Sequence, residues 1–227
     1  MYFLPKFDDH PLPKMERPHK SRIAVLTGGP GCGKTTLLCA LDRLGMVTIP
    51  EAALQLINEL NEQLGVEEQR AWRNNHFMEF QDMLIERQQH LEANVDQAVW
   101  NIADRSLLDI VGFCRFKGVA PPPKLTPQLL ADRYGVAFLL EPLLDYADRR
   151  STGRLFDRKE ALAIGECLGF AYSGAGVPVI RVPCMTVGER AAYVVKHLTS
   201  PLNITNGIIR CQNNPVNALR SGLNHKL

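Results

Sequence analysis

A P-loop α/β sandwich, five parallel strands between two layers of helix, is the fold this sequence predicts. Three observations carry that expectation. Gly28-Gly29-Pro30-Gly31-Cys32-Gly33-Lys34-Thr35 matches the pattern G-x-x-x-x-G-K-[ST]. From Arg22 onward, short apolar β-branched runs alternate with helical patterns, as in parallel sheets built by crossover helices. The chain has 227 residues, 45% hydrophobic and 22% charged, enough for one full α/β core.

The elements follow in order. Residues 1–20 hold four prolines and mixed charge and are expected to form a mobile lead-in to a domain over 21–199. Arg22–Thr27 is the first strand and leads into the glycine-rich loop. Thr36–Leu41 continues as helix, with Gly45 placed to stop it. Val47–Ile49 is the second strand. Pro50-Glu51 then opens a helix, proline in its first turn and glutamate near its positive end, that runs to about Leu64-Gly65. Over 67–96, Trp72, Phe77, Phe80, Leu84, Leu91 and Val95 recur at mostly helical spacing. Ala98–Ala103 is the third strand, ending at Asp104. A helix follows from Leu107 to about Phe116, and Gly118 with Pro121-Pro122-Pro123 breaks it. Gly135–Leu140 is the fourth strand. An arginine-rich segment, 148–158, precedes a helix over about 159–172. Val177–Val182 is the fifth strand, and its internal Pro178 assigns it a sheet edge. The last helix covers about 186–199. Residues 200–227 carry six asparagines and no acidic residue, and are expected to be a disordered tail.

Charge and cysteine usage narrow the function classes. A net charge of +2 gives no electrostatic case for nucleic acid or an anionic membrane. Six cysteines without a C-x-x-C pair or a Cys/His cluster read as reduced thiols of a cytoplasmic protein. No apolar run approaches the 18 residues of a membrane-spanning helix.

The loop residues Gly28, Gly29, Pro30, Gly31, Cys32, Gly33, Lys34, Thr35 and Thr36 point to a triphosphate. Inward-facing backbone N–H groups and the following helix dipole favour phosphate there. Lys34 can reach the β- and γ-phosphates, and the Thr35 hydroxyl can ligate Mg²⁺. In open α/β sheets the remaining groups gather at the C-terminal ends of the strands. Asp104, ending the third strand, can hold Mg²⁺; alternatively it N-caps the next helix. Its neighbour is Arg105, where hydrolysing motors carry a water-activating glutamate. Glu51, ending the second strand, can accept a proton from an acceptor hydroxyl, or simply stabilise its own helix. Arg149, Arg150, Arg154 and Arg158 crowd ten residues. Arg150 or Arg154 can close over the γ-phosphate as part of a lid; the alternative is a solvated turn paired with Asp148, Asp157 and Glu160.

Leu26–Thr36, Ile49-Pro50-Glu51-Ala52-Ala53, Glu86-Arg87-Gln88 and Asp104-Arg105-Ser106-Leu107-Leu108-Asp109 together resemble the AAA-labelled P-loop domain of NadR-type proteins. A fly GTP-binding protein named for a channel-translocation defect shares that domain. The likeness covers about 22–199. It implies a nucleoside- or nucleotide-kinase type of sheet ordered 2-3-1-4-5 and an activity like that of a ribosylnicotinamide kinase. The Pro-Glu and Asp-Arg-Ser motifs are also similar to those of deoxynucleoside kinases, which implies that Glu51 is the acceptor-side base and Arg105 a phosphate-contacting arginine. The motor features of other AAA proteins, an arginine-finger region and a C-terminal helical lid domain, are not recognisable. The expected function is Mg²⁺-dependent transfer of the γ-phosphoryl of ATP or GTP to a small nucleoside-like or other hydroxyl-bearing acceptor. The alternative is a slow nucleotide switch acting through a protein partner. The guanine-reading Asn-Lys-x-Asp pattern of Ras-like switches is absent.

Overall fold

A computed structural model describes residues 21–143 and 157–199. The expectations for residues 1–20, for residues 200–227 and for most of the arginine-rich segment lie outside the described residues. Five strands, β1 (Ile23–Thr27), β2 (Val47–Ile49), β3 (Asn101–Asp104), β4 (Val136–Leu140) and β5 (Val179–Val182), form one sheet in the order β2-β3-β1-β4-β5. All four neighbouring pairs are parallel. The helices are α1 (Lys34–Arg43), α2 (Ala52–Leu64), α3 (Val66–Asn75), α4 (Phe77–Glu92), α5 (Leu107–Lys117), α6 (Pro127–Leu130), α7 (Arg158–Gly174) and α8 (Val187–Thr199).

β1 shows why the sheet needs two covering layers. All five of its residues are buried, and consecutive residues alternate between two cores. Ile23 and Val25 join Ile85, Leu107, Leu108, Tyr134 and Tyr172 on one face. Ala24 and Leu26 join Leu37, Leu41, Phe138, Val194 and Leu198 on the other, beneath α1 and α8. A smaller cluster of Leu56, Leu60 and Phe80 ties α2 to α4. α5 and α7 approach closely at Gly112, where a Cβ would lie 2.7 Å from Leu168 Cδ2 and 3.0 Å from Leu168 Cα.

The stop of α1 at Gly45 follows the sequence reading, while several other boundaries depart from it. α1 ends in a Schellman turn: Gly45 N–H donates to Asp42 O and Met46 N–H to Leu41 O. Pro50 stands outside α2. Glu51 is the N-cap in extended conformation (φ −66°, ψ 118°) and makes no capping bond. The 67–96 segment is two helices, because His76 (φ −118°, ψ 45°) interrupts the helical path and its N–H closes α3 onto Trp72 O. β3 begins at Asn101 rather than Ala98. Asp96 accepts the Ala98 N–H, and the Asn101 amide donates to Asp96 O and Val99 O, so 96–100 is turn. β5 lies at the sheet edge and begins only after Pro178, whose carbonyl accepts from Ala137 N–H. The one-turn helix α6 follows the triple proline, opened by Thr126 with proline in its first turn.

Register sets up the site. Leu26 pairs with Asp104, so this carboxylate stands level with the end of β1. Ile49 pairs with Ala103, which brings Glu51, just past β2, to the same edge.

Candidate functional site

At that edge the glycine-rich loop between β1 and α1 forms the candidate phosphate cradle. Gly33 is the N-cap of α1 with φ +88°, in the left-handed region glycine favours, and no side chain caps the helix. The first-turn N–H groups therefore remain donors for a ligand. Gly29 has a different reason: a Cβ there would lie 2.1 Å from Ala161 O of α7. Lys34 is buried and folded into the loop. Its ammonium donates to Gly28 O at 3.0 Å and Gly29 O at 3.1 Å, with a longer contact of 3.4 Å to Cys32 Sγ. Thr35 and Thr36 are exposed on the first turn of α1.

Asp104 is 1% exposed. The Thr35 hydroxyl donates to its Oδ2 at 3.2 Å, and its Oδ1 is buried with no hydrogen-bond partner among the described residues. Burial pushes the Asp104 carboxyl up to about 6, and the neighbouring Glu51 charge adds to this against Lys34, Arg105 and Thr35. α5 is capped by Ser106 in a capping box with Asp109, so Asp104 has no capping duty. Two oxygens, one orphaned and one beside a threonine hydroxyl at a P-loop, fit a divalent cation. Among the described residues no group of three or more His, Cys, Asp or Glu is placed to hold a metal. The ion would take its other ligands from phosphate and water.

Arg105 occupies the left-handed region at φ +72°. Its Nε donates to Glu51 Oε1 at 3.0 Å and its Nη1 to Asp109 Oδ1 at 3.0 Å. The guanidinium lies 5.2 Å from the Phe113 ring centroid. Burial works against its charge, but Asp109, Glu51 and Asp104 outweigh burial and raise its pKa. Asp109 gathers four donors in all: Arg105, the Thr27 hydroxyl, Ser106 N–H and the Tyr172 hydroxyl. It thereby joins the end of β1, the end of β3 and α7.

The residues singled out from sequence thus fall into two groups. Lys34, Thr35, Asp104, Glu51 and Arg105 come together at one edge. Arg149, Arg150 and Arg154 lie outside the described residues. Arg158 sits exposed in the first turn of α7, while Asp157 and Glu160 cap that helix. Gln88 is not at this edge; it donates to Glu92. Sequence reasoning missed Arg190 of α8, which is 2% exposed and donates to Cys32 O, Glu141 O and Pro183 O. It also assigned no role to Asp109.

A family model described as an AAA domain matches residues 23–190. No curated protein matches the chain. Among solved structures, the YorR protein of Bacillus subtilis, in complex with phosphorylated GDP, is similar at 18% identity. The match covers 76% of this chain and 93% of that one, with a TM-score of 0.48. No helix of the described residues is long and apolar enough to cross a membrane.

Proposed function

The chain belongs to the AAA domain family, and from that premise we propose that it is a Mg²⁺-dependent phosphotransferase. It moves the γ-phosphoryl of ATP or GTP to a small hydroxyl-bearing acceptor, in the manner of the ribosylnicotinamide kinases its motifs resemble. One observation carries this reading: Glu51 and Arg105, paired at 3.0 Å, stand beside Asp104 and Thr35 at the mouth of the P-loop. Nucleotide binding alone needs only the loop; a carboxylate at the end of β2, across β3 from the loop, is what an acceptor hydroxyl requires.

Each residue then has a defined task. The loop N–H groups and Lys34 cradle the phosphates, a phosphate oxygen replacing the weak Cys32 Sγ contact of the ammonium. Thr35 and Asp104 would hold Mg²⁺, which when bound neutralises charge on the transferring phosphate. Glu51 takes the proton of the acceptor hydroxyl once its pair with Arg105 opens, and Arg105, still tethered by Asp109, turns toward phosphate. Arg150 and Arg154 are proposed to close over the triphosphate. The closed Glu51–Arg105 pair also supports a second reading, a slow nucleotide switch, in which the pair never opens to an acceptor.

A panel of nucleosides and small hydroxyl metabolites with labelled ATP and GTP separates the two. A phosphorylated product, falling by about 10²–10⁴ in Glu51→Gln while triphosphate affinity is kept, is the expected result. Hydrolysis unchanged by any acceptor, and equal in Glu51→Gln, would leave the switch.

A further inference from the structure

Arg190 is a buried cation whose partners are three backbone carbonyls on three different loops. Cys32 O, at 2.6 Å from Nη1, belongs to the P-loop after β1. Glu141 O, at 2.9 Å from Nη2, follows β4, and Pro183 O, at 3.0 Å from Nε, follows β5. None of the ion pairs among the described residues includes it. A Cβ on Gly33 would lie 3.6 Å from its Nη1, so the guanidinium sits directly behind the loop. Taking a guanidinium out of water is costly unless charge and hydrogen bonds compensate it. Carbonyl dipoles do part of this, and an anion in the cradle in front of it would do the rest.

The Cys32 contact has a geometric consequence. Within a trans peptide the carbonyl oxygen and the next N–H point in opposite directions. Pinning Cys32 O toward Arg190 therefore aims the Gly33 N–H away from Arg190, toward the side of the loop on which the proposed phosphate would sit. A fork of fixed donors can hold three carbonyls at once, whereas an ammonium is a point charge on a flexible stem. We propose that Arg190 is a positioning residue that sets the P-loop donors for phosphate and ties the loop to the chain segments following β4 and β5. This rests on the nucleotide-binding part of the reading above and deepens it.

The test uses the full-length chain and inorganic tripolyphosphate, which has no base and no acceptor and probes the loop alone. Calorimetric titration is run well below the unfolding temperature of each protein. Arg190→Lys should bind tripolyphosphate about 10- to 100-fold more weakly than wild type, the usual scale for losing a charge-assisted contact. An unchanged affinity with only a lowered Tm would mean that Arg190 is fold glue, and would overturn the inference. If wild type itself binds neither tripolyphosphate nor ATP, the proposed function falls, and this inference with it. A second measurement needs no variant and decides the matter if Arg190→Lys does not fold. Tripolyphosphate should slow amide exchange in wild type at 141–143 and 183–190, as well as in the loop. Slowing confined to the loop would overturn the proposal.

Discussion

Lys34 has three ammonium donors and all are engaged inside the loop, two with carbonyls and one with a thiol. Its removal takes away a preorganised charge rather than a core contact. Lys34→Ala should therefore lower turnover by about 10²–10³ and weaken triphosphate binding, while the protein still unfolds cooperatively. Wild-type affinity and turnover in that variant would contradict the site. Asp104→Asn keeps the side chain's shape and removes its charge. It should abolish the Mg²⁺ dependence of nucleotide affinity, read by titration with and without the metal, whereas an unchanged Mg²⁺ dependence would remove Asp104 from the site. At this scale the octapeptide and the strand-end carboxylates could be picked out as candidates, because phosphate and Mg²⁺ chemistry would demand particular residue types at set spacings, and the fold brings Lys34, Thr35, Glu51 and Asp104 to one edge. Arg190 was not legible. Its partners are backbone carbonyls, which every residue carries, so in sequence it is one more arginine on an amphipathic helix. Asp109 closes the Asp104–Asp109 motif, but its convergence with Thr27 and Tyr172 exists only once β1, α5 and α7 are packed.

The elements themselves were read well where burial decides and less well where side chains bond to nearby backbone. β2 and the end of α2 fell where apolar pattern and glycine placed them. The start of β3 moved because Asp96 and Asn101 make a turn from residues that look apolar around them. The break at His76 gave no glycine or proline signal, so two helices read as one segment. The contact between α5 and α7 was likewise invisible, since Gly112 alone does not say which helix will lie against it. Gly112→Ala would set a methyl against Leu168 Cα as well as its side chain. Backbone cannot yield cheaply, so the variant should lose about 1–3 kcal/mol in urea unfolding. A variant as stable as wild type would show that the two helices part without cost.

Across the whole molecule, a second polar cluster lies beside the first. Tyr134 accepts the Leu107 N–H at the start of α5 and donates to Glu92, which also receives Arg133 and Gln88. Burial raises the Glu92 carboxyl above its ordinary 4.5, against the pull of Arg133, Gln88 and Tyr134. The folded protein thus keeps this proton to higher pH than the unfolded chain does. Below about 4.5 both states hold it and pH has no effect through this group. As pH rises from there through the folded pKa, the unfolded chain releases its proton first and stability declines. Relative to Glu92→Gln, wild type should lose stability over that interval, measured as unfolding free energy in urea from pH 4 upward. A difference that stays constant with pH would show that Glu92 ionises as easily inside as out.

β1 stands in the centre of the sheet, yet its neighbours β3 and β4 begin at Asn101 and Val136. During synthesis the strand that will end up most enclosed is made first and must wait for both partners. At typical elongation rates the first of these follows by ~4–16 s, with Ile23–Leu26 and the P-loop meanwhile presenting unpaired backbone and apolar side chains. The P-loop is thus the part of this protein most dependent on late arrivals. A ribosome-bound chain stopped before Asn101 should expose it to chaperones and proteases, and one extended well past Leu140 should not.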